Sequence, residues 1–224
     1  MRRFLRDNGL GLVFGGLFLL SLVGQAFSGK ADFNDQQLAN GGSTVDVFEY
    51  VLSADYAVDV AENWQSEYLQ FFLFIMLTVW LIQRGSPESK APEDIGPESD
   101  EQQQLGRHTT ERSPAWAKAG GWRTTLFSNS LGLVMLALFL LSWLAQAVAG
   151  WSAFNNEQLV DLGDPVSWGV YLGSADFWNR SLQNWQSEFL AIGSMAVLSV
   201  YLRQRGSPES KPVGAAHAVT DESG

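Results

Sequence analysis

The chain has 224 residues, of which 46% are hydrophobic and 17% are charged, and its net charge of −10 at pH 7 argues against nucleic-acid binding. It contains no cysteine, which excludes disulfides, thiolate chemistry and cysteine-ligated metal sites. The hydrophobic residues are concentrated in four blocks separated by polar segments, a distribution that favours a membrane protein.

The first block is long enough to cross a bilayer as a single helix. No charged residue lies between Asn8 and Gly29, and a helix of about 20 residues crosses the roughly 30 Å hydrocarbon core. Arg2, Arg3 and Arg6 precede this block, as in a secretory signal peptide. A copy of the same segment occurs inside the chain, where it cannot serve as an N-terminal signal. We therefore predict a retained span at about residues 9–29.

Two later blocks are shorter between charges. The runs "YLQFFLFIMLTVWLIQ" from Tyr68 and "FLAIGSMAVLSVYL" from Phe189 reach a full span only if the preceding glutamate and aromatic residues are included. We predict spans there at about residues 64–84 and 184–203. The remaining block, uncharged between Arg123 and Glu157, predicts a span at about residues 126–150.

The chain is an internal repeat. Residues 1–90 align with 122–211 at a spacing of 121 without a gap, and about half of the aligned positions are identical. The predicted fold is therefore an all-α integral membrane protein of four transmembrane helices, arranged as two tandem hairpins with the same orientation. Residues 91–121, rich in proline and charge, and the tail 212–224 are predicted to be disordered, the linker on the cytoplasmic side.

Lysine and arginine placement predicts the orientation of the hairpins. The loops within the two hairpins contain only Lys30 and Arg180, whereas the segments at the termini and linker carry the other cations near the predicted spans. Because short cytoplasmic loops carry the excess of lysine and arginine, we expect both termini in the cytoplasm and the protein in the inner membrane.

The outer loops contain helix-start signals. Asp164 followed by Pro165 resembles a cap with a first-turn proline, and Ser43 or Thr44 is the candidate cap of the equivalent "VDVFEYVL" segment. Ser53 and Ser174 each open a "SAD" motif and are predicted to cap the helices that follow. Short helical segments are therefore expected in both outer loops.

The motif "NWQSE" occurs at residues 63–67 and again at 184–188, each time just before an apolar run. Helical spacing places its polar side chains on one face, opposite a glutamine near the outer end of the preceding span. The predicted polar cluster within the membrane comprises Gln25, Asn63, Ser66, Glu67, Gln146, Asn184, Ser187 and Glu188.

The two glutamates of this cluster have a structural and a functional interpretation. A carboxylate inside the interface is costly unless it is paired, hydrated or protonated. In the structural interpretation Gln25 binds Glu67, and Gln146 binds Glu188, within each hairpin. In the functional one, the two carboxylates line a polar cavity for cations or protons.

Residues at the predicted membrane surfaces are candidate anchors. Trp64 and Trp185 suit the headgroup level, where an indole ring is apolar and its N–H stays wet. The motif "QRGSPESK", at residues 83–90 and 204–211, places Arg84 and Arg205 beside anionic headgroups. Its glycine is expected at the C′ position that ends the helix. Because the two copies of this motif are identical over all eight residues, a role in binding a partner is also possible.

No catalytic, cofactor or metal site is predicted. The only histidines, His108 and His217, lie in the linker and tail, away from the carboxylates that a di-metal helix bundle would need. The serines of "NWQSE" have no neighbouring histidine base, and no glycine-rich phosphate loop is present. We expect a protein that is not an enzyme.

The segments "RDNGL" near the start, "NWQSE" and "QRGSPESK" together resemble a family of uncharacterised bacterial membrane proteins known only as a domain of unknown function. The resemblance covers both hairpins and implies four helices in a bacterial inner membrane, without an activity. We expect a non-enzymatic envelope scaffold or partner subunit whose partners are the bilayer, other membrane proteins or a second copy, and not nucleic acid. The alternative is a small cation or proton channel or transporter that uses Glu67 and Glu188.

Overall fold

The computed structural model describes residues 2–221, and every regular element in that part of the chain is helical, which confirms the all-α prediction. The α-helices, in chain order, are α1 (Arg2–Asp7), α2 (Gly9–Ala39), α3 (Val47–Val51), α4 (Ala54–Leu77), α5 (Ala115–Ala119), α6 (Gly121–Ser128), α7 (Ser130–Val160), α8 (Trp168–Leu172) and α9 (Ala175–Tyr201). Two 3-10 turns, Pro92–Asp94 and Gly106–His108, lie in the linker.

Helices α2 and α7 are long and apolar enough to cross a membrane. Each has 31 residues and a length of about 46 Å at 1.5 Å per residue. The apolar side chains of α2 are largely uncovered: Leu10 is 76% exposed and Leu20 is 72% exposed. An apolar surface of this extent requires a cover of lipid or protein.

Helix α4 ends earlier than the sequence predicts. Its last residue is Leu77, seven positions before Arg84, so the helix covers only part of the span predicted at about residues 64–84. The hydroxyl of Thr78 donates to the Phe74 carbonyl at 2.7 Å, and Thr78 is followed by a second β-branched residue, Val79, with low helix propensity. Helix α9, which has serine at the position of Thr78, continues to Tyr201.

The helix bounds follow the spacing of the sequence repeat. Helices α2 and α7 begin and end 121 residues apart, and so do α3 and α8. Helices α4 and α9 begin 121 residues apart but end at different positions. The two halves of the sequence therefore specify nearly the same local structure.

The chain divides into two compact units. One consists of Met1–Ala61 and Leu144–Phe177, and the other of Glu62–Trp143 and Trp178–Gly224. Each unit contains parts of both sequence copies.

In the first unit, the end of α2 is joined to the loop that follows it by the amide of Asn34. Its Oδ1 accepts from the Val45 backbone N–H at 2.8 Å, and its Nδ2 donates to the Val45 carbonyl at 3.0 Å. Asn155 makes the same pair of bonds to Val166, at 2.8 and 3.1 Å. The loop is thus fixed in the same way in both copies.

Aromatic residues pack beneath each of these loops. Tyr50, the buried residue of α3, lies with its ring centroid 5.6 Å from Phe33 and 5.4 Å from Tyr56. Tyr171 is placed in the same way in the second copy, against Phe154 and Phe177. The short helices α3 and α8 therefore have a packing role within their own unit.

The short helices were expected, but their caps were predicted at the wrong residues. Helix α3 is capped by Asp46, whose side chain accepts from the Glu49 N–H at 2.9 Å while Glu49 accepts from the Asp46 N–H at 2.8 Å. The N-cap position of α8 is Ser167, whose side chain makes no capping hydrogen bond, so Asp164 lies outside the helix start.

The "SAD" caps are confirmed. Ser53 accepts a bond from the Tyr56 N–H at 3.2 Å, and Ser174 accepts one from the Phe177 N–H at the same distance. Each serine directly precedes the helix that it caps, α4 or α9.

The linker consists mainly of turns between short helical pieces, and the described part of the C-terminal segment, residues 212–221, consists of turns and irregular structure. Their predicted disorder concerns their behaviour in solution and stays a prediction. The end of the predicted tail, residues 222–224, lies outside the described residues.

Candidate functional site

The two "NWQSE" motifs meet in the second unit. The guanidinium Nη1 of Arg180 on α9 lies 3.1 Å from the Glu62 carboxylate on α4. Both side chains are partly buried, which reduces the screening of this ion pair by solvent. The ion pair lies one residue before the first motif and four residues before the second.

A direct hydrogen bond joins the motifs one turn further along α4. The indole Nε1 of Trp185 donates to Oε1 of Gln65 at 2.7 Å. The side chain of Gln65 is fully buried. The bond gives the buried amide oxygen a partner and so stabilises the contact between α4 and α9, whereas the amide nitrogen, Nε2, has no hydrogen-bond partner among the described residues.

Two further tryptophans surround this bond. The ring of Trp143 on α7 lies 5.8 Å from that of Trp185 and 6.1 Å from that of Trp178. Its Nε1 donates to the Ser181 hydroxyl at 3.2 Å. We call Gln65, Trp143, Trp178, Ser181 and Trp185 the tryptophan–glutamine cluster.

The cluster is asymmetric with respect to the repeat. Gln186, which occupies the position of Gln65 in the second copy, is exposed. Trp64, at the position of Trp185, is 41% exposed. One copy thus supplies the buried amide and the other supplies the indole donor.

The remaining polar residues predicted from the motif have local partners. Ser66 is buried, and its hydroxyl donates to the Asn63 carbonyl at 2.9 Å. Ser187 donates to the Asn184 carbonyl at 2.8 Å, within its own helix. These serines therefore satisfy their hydroxyls without a partner on another helix.

The glutamates differ in exposure. Glu67 is exposed and Glu188 is half-buried, and the two carboxylates interact electrostatically with each other. Gln25 is half-buried and Gln146 is fully buried. The pairing of each glutamine with the glutamate of its hairpin stays a prediction.

The predicted anchor Trp185 donates its N–H to Gln65. The anchoring roles of Trp64, Trp185, Arg84 and Arg205 stay predictions. Both arginines are exposed.

The sequence analysis did not predict the tryptophan–glutamine cluster or the Glu62–Arg180 ion pair beside it. Arg180 had a signal, because it is one of only two cations in the outer loops. Trp143 and Trp178 replace Leu22 and Ala57 of the first copy, so the repeat alignment marked them as departures. Gln65 had no such signal, because the equivalent residue of the second copy, Gln186, is also a glutamine and is exposed.

The "QRGSPESK" segments form matching loops after α4 and α9. In the first loop, residues 83–90, the Gln83 N–H donates to the Ser89 hydroxyl at 2.9 Å, and in the second, residues 204–211, Gln204 does the same with Ser210. Gly85 and Gly206 have φ angles of 89° and 82°. Each glycine lies in a tight turn closed by the N–H of the next serine, so neither is the helix C′ residue that was predicted.

The glutamates of the two loops lie together in the second unit. Burial and the hydrogen-bonded carboxyl of Glu209 raise the pKa of Glu88 to about 7. Two adjacent carboxylates repel each other when both are ionised, so a shared proton is favoured near neutral pH. Among residues 2–221, no three histidine, aspartate or glutamate side chains are grouped as metal ligands.

This architecture defines a class of all-helical proteins with two helices able to span a membrane. An aromatic–polar contact joins the two other long helices, α4 and α9. The chain belongs to the family described as a domain of unknown function, DUF6766, whose model matches residues 1–222. No curated protein and no solved structure matches the chain.

Proposed function

We propose that the chain is a multi-pass inner-membrane protein of four spans, built from two tandem hairpins with cytoplasmic termini. The exposed apolar surface of α2 and the 121-residue correspondence of helix bounds support this proposal. Helices α4 and α9 have 24 and 27 residues, or about 36 and 40 Å, which suffices for the roughly 30 Å hydrocarbon core.

In this arrangement, because α4 ends at Leu77, the first "NWQSE" motif lies deeper in the membrane than a span over 64–84 would place it. Counting back about 20 residues from Leu77 reaches Val58, so residues 63–67 would lie within the outer part of the span. Polar side chains at that depth need partners of their own. The bond between Gln65 and Trp185 supplies one such partnership.

The role that this geometry supports best is a non-enzymatic scaffold or partner subunit of the envelope. The observation that carries it is the Gln65–Trp185 bond, because the motif's most buried polar group binds the other copy of the motif. A polar motif used in this way holds two helices together. Interhelical hydrogen bonds of this kind stabilise helix packing by about 0.6 kcal/mol on average.

A second candidate is a small cation or proton channel. Glu67 is exposed and Glu188 is half-buried, and the electrostatic interaction between them favours a position of the two repeat-related carboxylates near each other. Such a pair is able to bind a cation or to pass a proton.

Flux measurements distinguish these functions. The purified protein is reconstituted into liposomes that contain a pH-sensitive dye, and a proton gradient is applied in the presence of valinomycin and potassium. The scaffold role predicts no flux above protein-free liposomes, for the wild type and for Glu67→Gln alike. Flux in the wild type that is lost in Glu67→Gln would replace the scaffold role by the channel.

A further inference from the structure

The two "QRGSPESK" loops have the same sequence and the same internal hydrogen bonds but different surroundings. Both belong to the second unit, as does the C-terminal segment, residues 212–221.

The first loop is closed by the C-terminal segment. The Gly85 N–H donates to the Thr220 hydroxyl at 2.9 Å, and the Asp221 N–H donates to the Ser86 carbonyl at 3.3 Å. A side chain at Gly85 would collide with the His217 carbonyl. The glycine N–H of this loop is therefore satisfied by an oxygen acceptor.

The second loop is open at the equivalent place. The Gly206 N–H has no hydrogen-bond partner among the described residues, and a Cβ built at Gly206 would meet nothing within 4 Å. A cavity of about 480 Å³ lies here, lined by Arg205, Gly206, Lys211, Pro212 and Val213. We call it the Arg205 cavity.

The Arg205 cavity carries positive charge beside an apolar wall. Arg205 makes no hydrogen bond or ion pair within the described part of the chain. The Lys211 ammonium is buried and donates to the carbonyls of Ala216, His217 and Val219 at 2.9–3.2 Å, so the open donors of the cavity are those of Arg205 and Gly206. Pro212 and Val213 supply the apolar part of the wall.

Arg203, two residues before Arg205, differs because its guanidinium is bound to protein acceptors. Its guanidinium donates to backbone carbonyls of α9 and to the Ala215 carbonyl at 3.1 Å. Arg205 has no comparable role in holding the C-terminal segment. A guanidinium with its donors open matches the geometry of phosphate oxygens.

We propose that the Arg205 cavity binds the phosphate group of an anionic phospholipid, with the Arg205 guanidinium and the Gly206 N–H as donors and with Pro212 and Val213 against the glycerol and upper acyl chain. This inference rests on the proposed function, because it requires the loop after α9 to lie at the cytoplasmic headgroup level. The first loop provides the precedent for an oxygen acceptor at the glycine N–H.

The test measures lipid binding to the full-length protein. Wild type, Arg205→Gln and Arg84→Gln are each placed in phosphatidylcholine nanodiscs, and fluorescent phosphatidylglycerol is titrated into them. Arg84→Gln is the matched control, because it removes the same charge at the headgroup level, while the glycine N–H of its loop already donates to Thr220 and leaves no second donor for a phosphate. Arg205→Gln should weaken phosphatidylglycerol binding roughly tenfold, as expected for the loss of a charge-assisted hydrogen bond, and Arg84→Gln should leave it within about twofold.

A second variant and two competitors complete the test. Val213→Trp, which fills the cavity without changing charge, should weaken binding as Arg205→Gln does. Inorganic phosphate at millimolar concentration should not displace the lipid; displacement would assign the cavity to a free anion. Displacement by a peptide of residues 212–221 would assign it to a second copy's C-terminal segment. Either result would overturn the lipid proposal.

Equal phosphatidylglycerol binding by wild type, Arg205→Gln and Val213→Trp would also overturn it. Failure of the wild type to insert into phosphatidylcholine bilayers would instead refute the proposed membrane function. The two failures are therefore distinguishable.

Discussion

Trp185 donates its indole N–H to the amide oxygen of Gln65 at 2.7 Å, and the two residues come from different positions of the same five-residue motif in opposite copies. The contact therefore joins different positions of the motif, although the five residues of the motif are identical in the two copies. The tryptophan–glutamine cluster includes Gln65 of the first copy, whereas the equivalent Gln186 of the second copy is exposed.

This asymmetry predicts unequal effects of one substitution at two equivalent positions. Gln65→Ala leaves the Trp185 N–H without its acceptor but also removes the unpaired amide nitrogen of Gln65, so we expect it to lower the free energy of unfolding by about 1 kcal/mol. Gln186→Ala, at the exposed equivalent, should change it by less than about 0.5 kcal/mol. Thermal unfolding in detergent measures both, and equal losses would contradict the assignment of the cluster.

The Glu62–Arg180 ion pair predicts a measurable coupling. Because both groups are partly exposed, a double-mutant cycle with Glu62→Gln and Arg180→Gln should give a coupling free energy of about 0.5–1 kcal/mol. The coupling should fall when the salt concentration is raised from 0.05 to about 0.5 M. A coupling near zero at low salt would show that the pair does not hold α4 against α9.

The asparagines that fix the outer loops predict a graded loss. Asn34→Ala leaves both the N–H and the carbonyl of Val45 without this partner, whereas after Asn155→Ala the Val166 carbonyl still accepts from the Trp151 indole at 2.7 Å. We expect Asn34→Ala to cost about 2 kcal/mol and Asn155→Ala about 1 kcal/mol. Chemical denaturation of both variants checks the order, and a larger loss for Asn155→Ala would contradict it.

The raised pKa of Glu88 predicts a pH dependence of stability with a definite sign. Since the folded protein keeps the proton up to about pH 7 and the unfolded chain loses it near its ordinary value of 4.5, the folded state binds more protons between these values. Stability should therefore be greatest below pH 4.5, as far as this group is concerned, and should decrease as the pH rises to about 7.

Glu88→Gln tests that dependence directly, because a neutral amide cannot titrate. The variant should lose the decrease in melting temperature between pH 5 and 7. Glu209→Gln should weaken the decrease, since it removes the neighbouring carboxylate but not the burial of Glu88. A wild-type slope in Glu88→Gln would assign the pH dependence to another group.

Much of the fold could be predicted from local patterns. The uncharged runs predict α2 and α7, and the serines of "SAD" predict the starts of α4 and α9, because these features depend on nearby residues alone. The observed cap of α3 could also be predicted from the sequence, since Asp46 and Glu49 have the spacing of a capping box. The end of α4 was harder, because the β-branched pair at Thr78 lies inside an apolar run without proline or glycine.

The candidate site was less predictable because the repeat suggests symmetry. Equal sequence at 63–67 and 184–188 implies equal roles, whereas Gln65 is buried and Gln186 is exposed. The difference arises from neighbours outside the motif, above all Trp143 and Arg180, which have no counterparts in the first copy. Such partners depend on long-range packing, which spacing within one segment does not determine.

The four-span topology is the central claim, and cysteine labelling tests it most directly because the chain has no cysteine to remove. Single cysteines are placed at the exposed positions Ser43, Asp100 and Asp164, and intact and opened membrane vesicles are treated with an impermeant thiol reagent. Four spans predict that positions 43 and 164 react from one side and position 100 from the other. Labelling of 43 and 100 from the same side, with 164 opposite, would mean that only α2 and α7 cross the membrane.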